Sequence, residues 1–320
     1  MTTKVPGPRS ASVEPRDTRA AAGTLGGPRG PRAGTRTRSS AAAAARRRRL
    51  VSRTLTYVAA VVVGLFSVFP LFWMVLTSLK PNYQIITPEP VWWPAEFQWG
   101  RYQRVLESGF TRYLRNSLIV ATGTVGMGLL VSIFAGYALA RFRMPLRRFL
   151  VMVVLATQMF PVAVLLIPFF MVMRNLGLLG SLWGLIIAYL AFITPLMIWI
   201  LRGFFQSIPA ELEEAAQIDG CSRFGAMWRV IMPLAGPGIA AVSIFAWIAA
   251  WNEFLFALTF ISGDQLRTLP VGLTQFVGRD AVDHGAIMAA SVLFTLPVVI
   301  FFLFVHKKLT TGLVAGAVKG

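Results

Sequence analysis

Residues 211–220 read ELEEAAQIDG, four carboxylates and an Ala-Ala pair packed between two long apolar runs. Carboxylates can act as acid–base groups, as metal ligands or as charges at helix ends. The first two roles need partners, and the chain offers few. Cys221 is the one cysteine, so an internal disulfide and a thiolate cluster are both excluded. His284 and His306 are not at ligand spacing, which argues against zinc. No Gly-Lys dipeptide occurs, hence no P-loop for ATP phosphates, and neither paired carboxylates nor a Ser-x-x-Lys arrangement suggests catalysis. The expectation is a chain that is no enzyme, with no catalytic residue, metal or cofactor of its own.

The third role fits a short helix. Ser207 and Pro209 predict its start. Glu211, Glu213 and Glu214 then fall early, where the positive helix end favours acids. Leu212, Ala215 and Asp219 share roughly one face, and Ala216 lies beside Leu212 at i+4. Gly220 suits the left-handed position past a helix end. Ser222 reads as a second cap before an amphipathic stretch with Phe224, Trp228 and Ile231, which Pro233 and Pro237 break. The Ala215–Ala216 pair leaves room for another backbone. Asp219 sits at the end that disfavours acids, at a cost of ~0.3–1 kcal/mol if exposed. Both features fit a docking helix, and both equally fit an ordinary interfacial hairpin.

The elements that must position this hairpin are membrane-length. The 320 residues are 56% hydrophobic and 14% charged, with a mean hydropathy of +0.64, outside the soluble norm. Spanning a bilayer by helix takes roughly 20 apolar residues. Six stretches qualify: Leu55–Leu79, Asn116–Ala140, Phe149–Met173, Leu182–Leu201, Ile239–Ile261 and Ala286–Val305. Glu253 is the one Asp, Glu, Lys, Arg or His among their residues. Lipid satisfies no backbone polar group, so these must be helices. The predicted fold is all-α, a polytopic membrane protein with six transmembrane helices.

Residues 1–53 hold 13 of the 31 Lys and Arg and, with no apolar periodicity, read as a disordered basic tail. Nucleic-acid or anionic-lipid binding is one reading of its end, RRRRLVSR. An orientation anchor under the positive-inside rule is the favoured one. A twin-arginine export signal is rejected because the following run is long, lacks a cleavage site and precedes five more spans. The tetra-Arg and the RFRMPLRR turn at 141–148 predict that both termini are cytoplasmic. The 80–115 loop is long enough to form a small external layer.

One resemblance accounts for the opening stretch. Glu214-Ala215-Ala216, three residues, Gly220, nine residues, then Val230-x-Met232-Pro233 resembles the EAA loop of ABC importer permeases. That pattern ends in Ile-x-Leu-Pro, so Val230 and Met232 are mild departures that keep apolar character. NSLIVA (116–121) looks like the start of the family's permease domain. WNEFLFAL (251–258), RTLPVGL (267–273) and GLVAGAVKG (312–320) are similar to the carbohydrate branch, the maltose-type second permease subunit. The likeness covers most of 55–320 and leaves the tail without a counterpart.

The resemblance implies a type I importer fold: a permease domain over 54–320 with its core at about 112–306, and a cytoplasmic coupling loop at 207–236. It implies partners: an ATPase dimer gripping that loop, a second permease subunit and an extracytoplasmic sugar-binding protein, in the cytoplasmic membrane of a bacterium and with no nucleic acid. Glu214, Ala215, Ala216, Asp219, Gly220 and Pro233 would carry the coupling. The terminal AGAVKG would approach the ATPase. On the substrate side, Trp251, Asn252, Glu253 and Phe254 lie within an apolar run, where polar groups face a bundle interior or a watery path. They would offer a sugar hydrogen bonds and aromatic faces. The alternative, which is favoured, is that they hold helices together. Gln158, Tyr189 and Thr194 read as packing residues, and Pro161, Pro168, Pro195 and Pro297 would permit bends and exposed carbonyls. Maltose or a related α-glucoside is the favoured cargo, and a non-sugar solute remains the alternative within the class. An ion-coupled secondary transporter would show more intramembrane acids and internal repeats. A membrane-embedded enzyme would need a catalytic cluster.

Overall fold

A computed structural model describes the backbone of residues 36–277 and 282–317, and the side chains of 48–277 and 282–306. The chain divides at Gly64 into two units. Helix α1, Arg36–Ser78, begins inside the stretch expected to be disordered to residue 53. The rest of that stretch lies outside the described residues. Up to Gly64 the described side chains of α1 are exposed, Leu55, Val58 and Val61 among them, as an apolar helix in lipid requires.

From Leu65 onward the chain is helical, and no strand occurs among the described residues beyond one isolated bridge between Val277 and Val282. Its elements are α2 (Asn82–Ile85), α3 (Gly100–Arg141), α4 (Arg147–Met159), α5 (Val162–Asn175), α6 (Leu182–Ser207), α7 (Glu211–Ile218), α8 (Arg223–Leu234), α9 (Gly236–Trp251), α10 (Leu255–Phe260), α11 (Leu269–Gly272) and α12 (His284–Ala317). Four helices among the described residues are long and apolar enough to cross a membrane: the Arg48–Ser78 part of α1, then α3, α6 and the His284–His306 part of α12. The number rises to six if the bent pairs α4–α5 and α8–α9 each count as one span.

Two expected spans are broken. Phe149–Met173 divides at Pro161, where the axis turns by 103°. Phe160 is extended, with φ −80° and ψ 132°, because the proline ring disfavours helical backbone in the residue before it. Pro168, Pro195 and Pro297 lie inside helices that continue through them. The run Ile239–Ile261 stops at Trp251 and restarts as α10 at Leu255, a break without a proline.

α3, α6, α9 and α12 form the centre. Where lipid removes the hydrophobic drive between helices, close packing of small residues replaces it. Gly136 of α3 lies against the backbone of α6, where a Cβ would stand 3.2 Å from the Arg202 nitrogen. At Gly238 of α9 a Cβ would meet the Phe204 ring at 2.3 Å. Phe169, Phe192, Phe256 and Phe260 stack together and fasten α10 to α5 and α6.

At the end of the bundle opposite the hairpin, Arg101 is buried and ties three elements together. It donates to the Ser78 carbonyl at 2.6 Å, to the Lys80 carbonyl at 2.8 Å and to Asn82 Oδ1 at 2.8 Å, in a slot that Gly285 leaves open. Beside it Lys80 lies over the Trp73 ring and donates to the Val91 carbonyl, and burial pushes its ammonium below the usual lysine range. The stretches NSLIVA and RTLPVGL meet here. Asn116 donates to the carbonyls of Gln265 and Arg267 at 3.0 and 2.9 Å, and Ser117 Oγ accepts from the Leu269 N–H at 2.7 Å. Asp264 gathers Arg112, Arg267 and the Tyr113 hydroxyl. The expected external layer is therefore pinned to the bundle by polar contacts.

Replacing Gly136 by Leu should force α3 and α6 apart, lowering stability by about 1–3 kcal/mol. Gly126→Ala, with open space around it, should be neutral or stabilising by up to ~1 kcal/mol. Thermal unfolding in detergent measures both.

Candidate functional site

The ELEEAAQIDG stretch folds as read, with one change at its start. α7 runs Glu211–Ile218 without a side-chain cap. Ser207 instead ends α6, its Oγ donating back to the Phe204 carbonyl at 2.8 Å. Glu211, Glu213 and Glu214 occupy the first turn, where they complement the helix dipole. At the far end Gly220 is left-handed (φ +91°). The N–H groups of Asp219, Gly220 and Cys221 return to the carbonyls of Ala215, Gln217 and Ala216 at 2.9, 3.1 and 2.9 Å. That closes the orphan carbonyls of the last turn and explains why the position wants glycine. Ser222 caps α8 by accepting the Gly225 N–H at 3.1 Å. α8 has a π turn over Met227–Ile231 and meets α9 at a 72° bend beyond Pro233, where proline was expected to break it.

Burial separates two faces of α7. Glu213 and Ala216 are buried, whereas Glu214, Ala215, Asp219 and Gly220 are exposed. Leu212 and Ile218 join the outer face, with Ile218 86% exposed. Phe224 and Trp228 of α8, in edge contact with each other, are exposed as well. Asp219 has no side-chain hydrogen bond among the described residues. A helix of eight residues thus carries an outward apolar strip with an acid at each end, and it touches the bundle through Glu213 and Ala216.

By residue type the sequence does not distinguish Glu213 from Glu211 and Glu214 of the same first turn. The Glu213 carboxylate accepts from the Tyr137 hydroxyl and lies 3.2 Å from Arg141 Nε, with both charged side chains nearly buried. Arg141 also donates to the Ile208 carbonyl at 2.9 Å. One buried carboxylate therefore joins α7 to the end of α3, and Arg141 extends the link to the α6–α7 connection. Its signal in the sequence was its spacing from Ala216: three residues apart puts both on one helical face.

The second group of residues is not gathered on one surface. Trp251 is 1% exposed, stacked on Trp247 at 4.7 Å and beside Phe294. Asn252 is exposed and donates back to the Ile248 carbonyl at 2.9 Å, which finishes α9. Glu253 accepts the N–H groups of Phe256 and Ala257 at 2.8 and 3.1 Å, capping α10. It also faces the buried Tyr189 hydroxyl of α6. Phe254 is exposed at the break. Three of the four seal a chain break or pack the core. Gln158 donates to the Phe192 carbonyl at 3.1 Å, and the Thr194 carbonyl accepts from Ser132 at 3.5 Å. An apolar cleft of about 920 Å³ opens elsewhere, beside the hairpin, between Val125, Pro233, Ile239, Ser243 and Phe301. The residues of the metal-ligating types form no cluster able to hold an ion among those described.

A bundle of broken apolar helices around a tightly packed centre, with a capped helical hairpin held against one end, is the architecture of a membrane permease. The chain belongs to the family described as binding-protein-dependent transport system inner membrane component, whose model matches residues 128–313. It is 40% identical over 272 residues to the diacetylchitobiose uptake system permease protein DasC of Streptomyces coelicolor, covering 85% of this chain and 99% of that one. It is 34% identical over 275 residues to the trehalose/maltose transport system permease protein MalG of Thermococcus litoralis, covering 85% and 98%. Among solved structures it is similar to a chain of a bacterial ABC transporter involved in the import of the acidic polysaccharide alginate, with a TM-score of 0.68, 26% identity and coverage of 80% of this chain and 97% of that one. The type I importer permease fold implied by the EAA-like spacing is borne out.

Removing one partner of a buried ion pair costs about 3–5 kcal/mol. Glu213→Ala should therefore loosen α7 from α3, and the label to read it is Cys221, the one thiol, just past the helix end. Its reaction with a maleimide should quicken at least tenfold, whereas Glu214→Ala should leave the rate unchanged.

Proposed function

We propose that this chain is a transport subunit, itself without catalytic activity, of an ATP-driven importer that carries an oligosaccharide across the cytoplasmic membrane of a bacterium. In this reading residues 54–320 are the permease domain, with a core at about 112–306. The loop 207–236 docks on a separate ATPase dimer, a second permease completes the pathway and an extracytoplasmic binding protein delivers the sugar. Both termini lie in the cytoplasm, with residues 1–53 as a basic tail before the first span. The observation that carries the proposal is the two-faced helix α7, outwardly apolar and inwardly anchored to α3 through Glu213.

Transmission follows from that arrangement. ATP-driven closure of the ATPase would push on Leu212, Ala215 and Ile218. Glu214 and Asp219 flank that strip and would meet donors on the partner. The force would pass through Tyr137 and Arg141 into α3, and through α8 past Pro233 into α9. Such a switch needs partner contacts that differ between two states, which nucleotide binding and hydrolysis supply. Gly220 keeps the helix end from unwinding under load.

A sugar is supported by the relatives named for diacetylchitobiose and for trehalose and maltose. Maltose-type α-glucosides and β-linked amino-sugar disaccharides are the two cargo classes to try first. Asn252, Phe254 and the outer edge of Glu253 stand at a break in a span and would meet the sugar there. Trp251 would support them from the core.

The test is uptake of labelled disaccharides by proteoliposomes holding the co-expressed complex, with ATP supplied on the ATPase side. Wild type should import one class in an ATP-dependent way. Gly220→Val, strained at positive φ, and Ala215→Asp, on the outer face, should each lower import at least tenfold. Uptake driven by a proton gradient without ATP would overturn the reading in favour of a secondary transporter.

A further inference from the structure

The turn between α3 and α4 contains Arg143, the first turn of α4 adds Arg147 and Arg148, and the last turns of α6 contribute Arg202. Arg147 and Arg202 are both half-buried. With its amide turned to satisfy them, the Gln206 carbonyl oxygen accepts from Arg147 Nη2 at 2.6 Å and from Arg202 Nη2 at 3.3 Å. Two guanidinium groups therefore converge on one neutral oxygen. Among the described residues neither has an ion-pair partner within 4.0 Å. The ionic neighbour that bears on Arg202 is another cation, Arg147. Arg141, the nearby arginine with a carboxylate, spends that carboxylate on itself.

Two like charges side by side in partly dehydrated surroundings repel, and water alone compensates them poorly. The arrangement calls for an anion. Its setting says which kind. Arg202 lies over the face of Trp199 at 5.2 Å, an aromatic of the type that marks a membrane interface. The turn ahead of Arg147 is held open by Leu146, a non-glycine residue at φ +64°, and forms a surface depression lined by Arg143, Arg147 and Arg148. Directly along α4 from these arginines run Phe149, Leu150, Met152 and Val153, all exposed. A free phosphate would use the guanidinium groups and ignore that apolar strip. A phospholipid uses both, phosphate above and acyl chain below, and basic pockets between spans are known to take anionic headgroups.

We propose that Arg147, Arg202 and Gln206 form a binding site for the phosphate of an anionic phospholipid, with Arg143 and Arg148 at its rim and the exposed face of α4 as the bed of an acyl chain. The site lies on the same end of the bundle as α7, because α3 ends and α6 ends there. A lipid seated in it would brace α4 against α6 beside the hairpin. The assignment is independent of the proposed cargo and of the ATPase contact.

The experiment is native mass spectrometry of the delipidated full-length complex titrated with dioleoyl phosphatidylglycerol, using dioleoyl phosphatidylcholine as the neutral comparison. Wild type should retain phosphatidylglycerol in preference. Arg147→Gln/Arg202→Gln should weaken the tightest phosphatidylglycerol site roughly tenfold or more, and Arg147→Lys/Arg202→Lys should keep part of it. Arg48→Gln/Arg49→Gln, which removes a different basic cluster, should leave that site intact. Unchanged phosphatidylglycerol binding in the Gln double variant would overturn the proposal, as would displacement of the lipid by millimolar inorganic phosphate. Loss of the ATPase from the Gln variant with lipid binding intact would instead assign the patch to a protein partner, and would overturn it too.

Discussion

A carboxylate taken out of water must be matched where it lies, and Glu213 is the place where this chain depends on that rule. Its two partners, a hydroxyl and a guanidinium, come from the last turns of α3, over seventy residues earlier in the chain. The pair does more than offset a desolvation penalty. Any movement of α7 that left α3 behind would strand a buried charge, so the two helices are energetically one body. α3 in turn packs along α6 through glycine contacts and touches α9. A push on this helix of eight residues would thereby reach the centre of the bundle.

The same rule of matched polar groups governs the breaks in the spans. A helix that stops within a membrane exposes N–H and C=O groups that lipid cannot satisfy. At 252–254 the chain provides its own partners: Asn252 turns back on α9 and Glu253 caps α10. Opposite the hairpin, Arg101, Asn116, Ser117 and Asp264 do similar work for the loops. Apolar packing fills the space between these points, most tightly in the phenylalanine cluster around α10. The polar residues of this protein are few, and most of those inside it terminate, cap or clamp a segment.

Much of this was legible in the sequence because its causes are local. Gly220 and Ser222 announce themselves through backbone conformation and a hydrogen bond three residues long. Six apolar runs followed from composition, and the EAA-like spacing gave the family. What could not be read had causes elsewhere in the chain. The break after Trp251 leaves no mark in hydropathy, because Asn252 and Glu253 sit inside an apolar run and act through hydrogen bonds. Ser207 has the residue type of a cap, but α6 runs as far as Ser207 and its hydroxyl closes that helix instead. Three glutamates of identical type differ in role because Tyr137 and Arg141 face one of them. That distinction belongs to packing, although the three-residue step from Glu213 to Ala216 hints at it.

The central claim is that the outer face of α7 is covered by an ATPase while its inner face stays on the bundle. It is tested most directly by single cysteines placed at Ala215 and Ile218 in a Cys221→Ser background, labelled with a membrane-impermeant maleimide with and without the purified ATPase. A cysteine at Tyr83, exposed near the opposite end, serves as the reference. The account predicts strong protection at 215 and 218 when the ATPase is present and none at 83. Equal labelling at 215 and 218 in both conditions would contradict it.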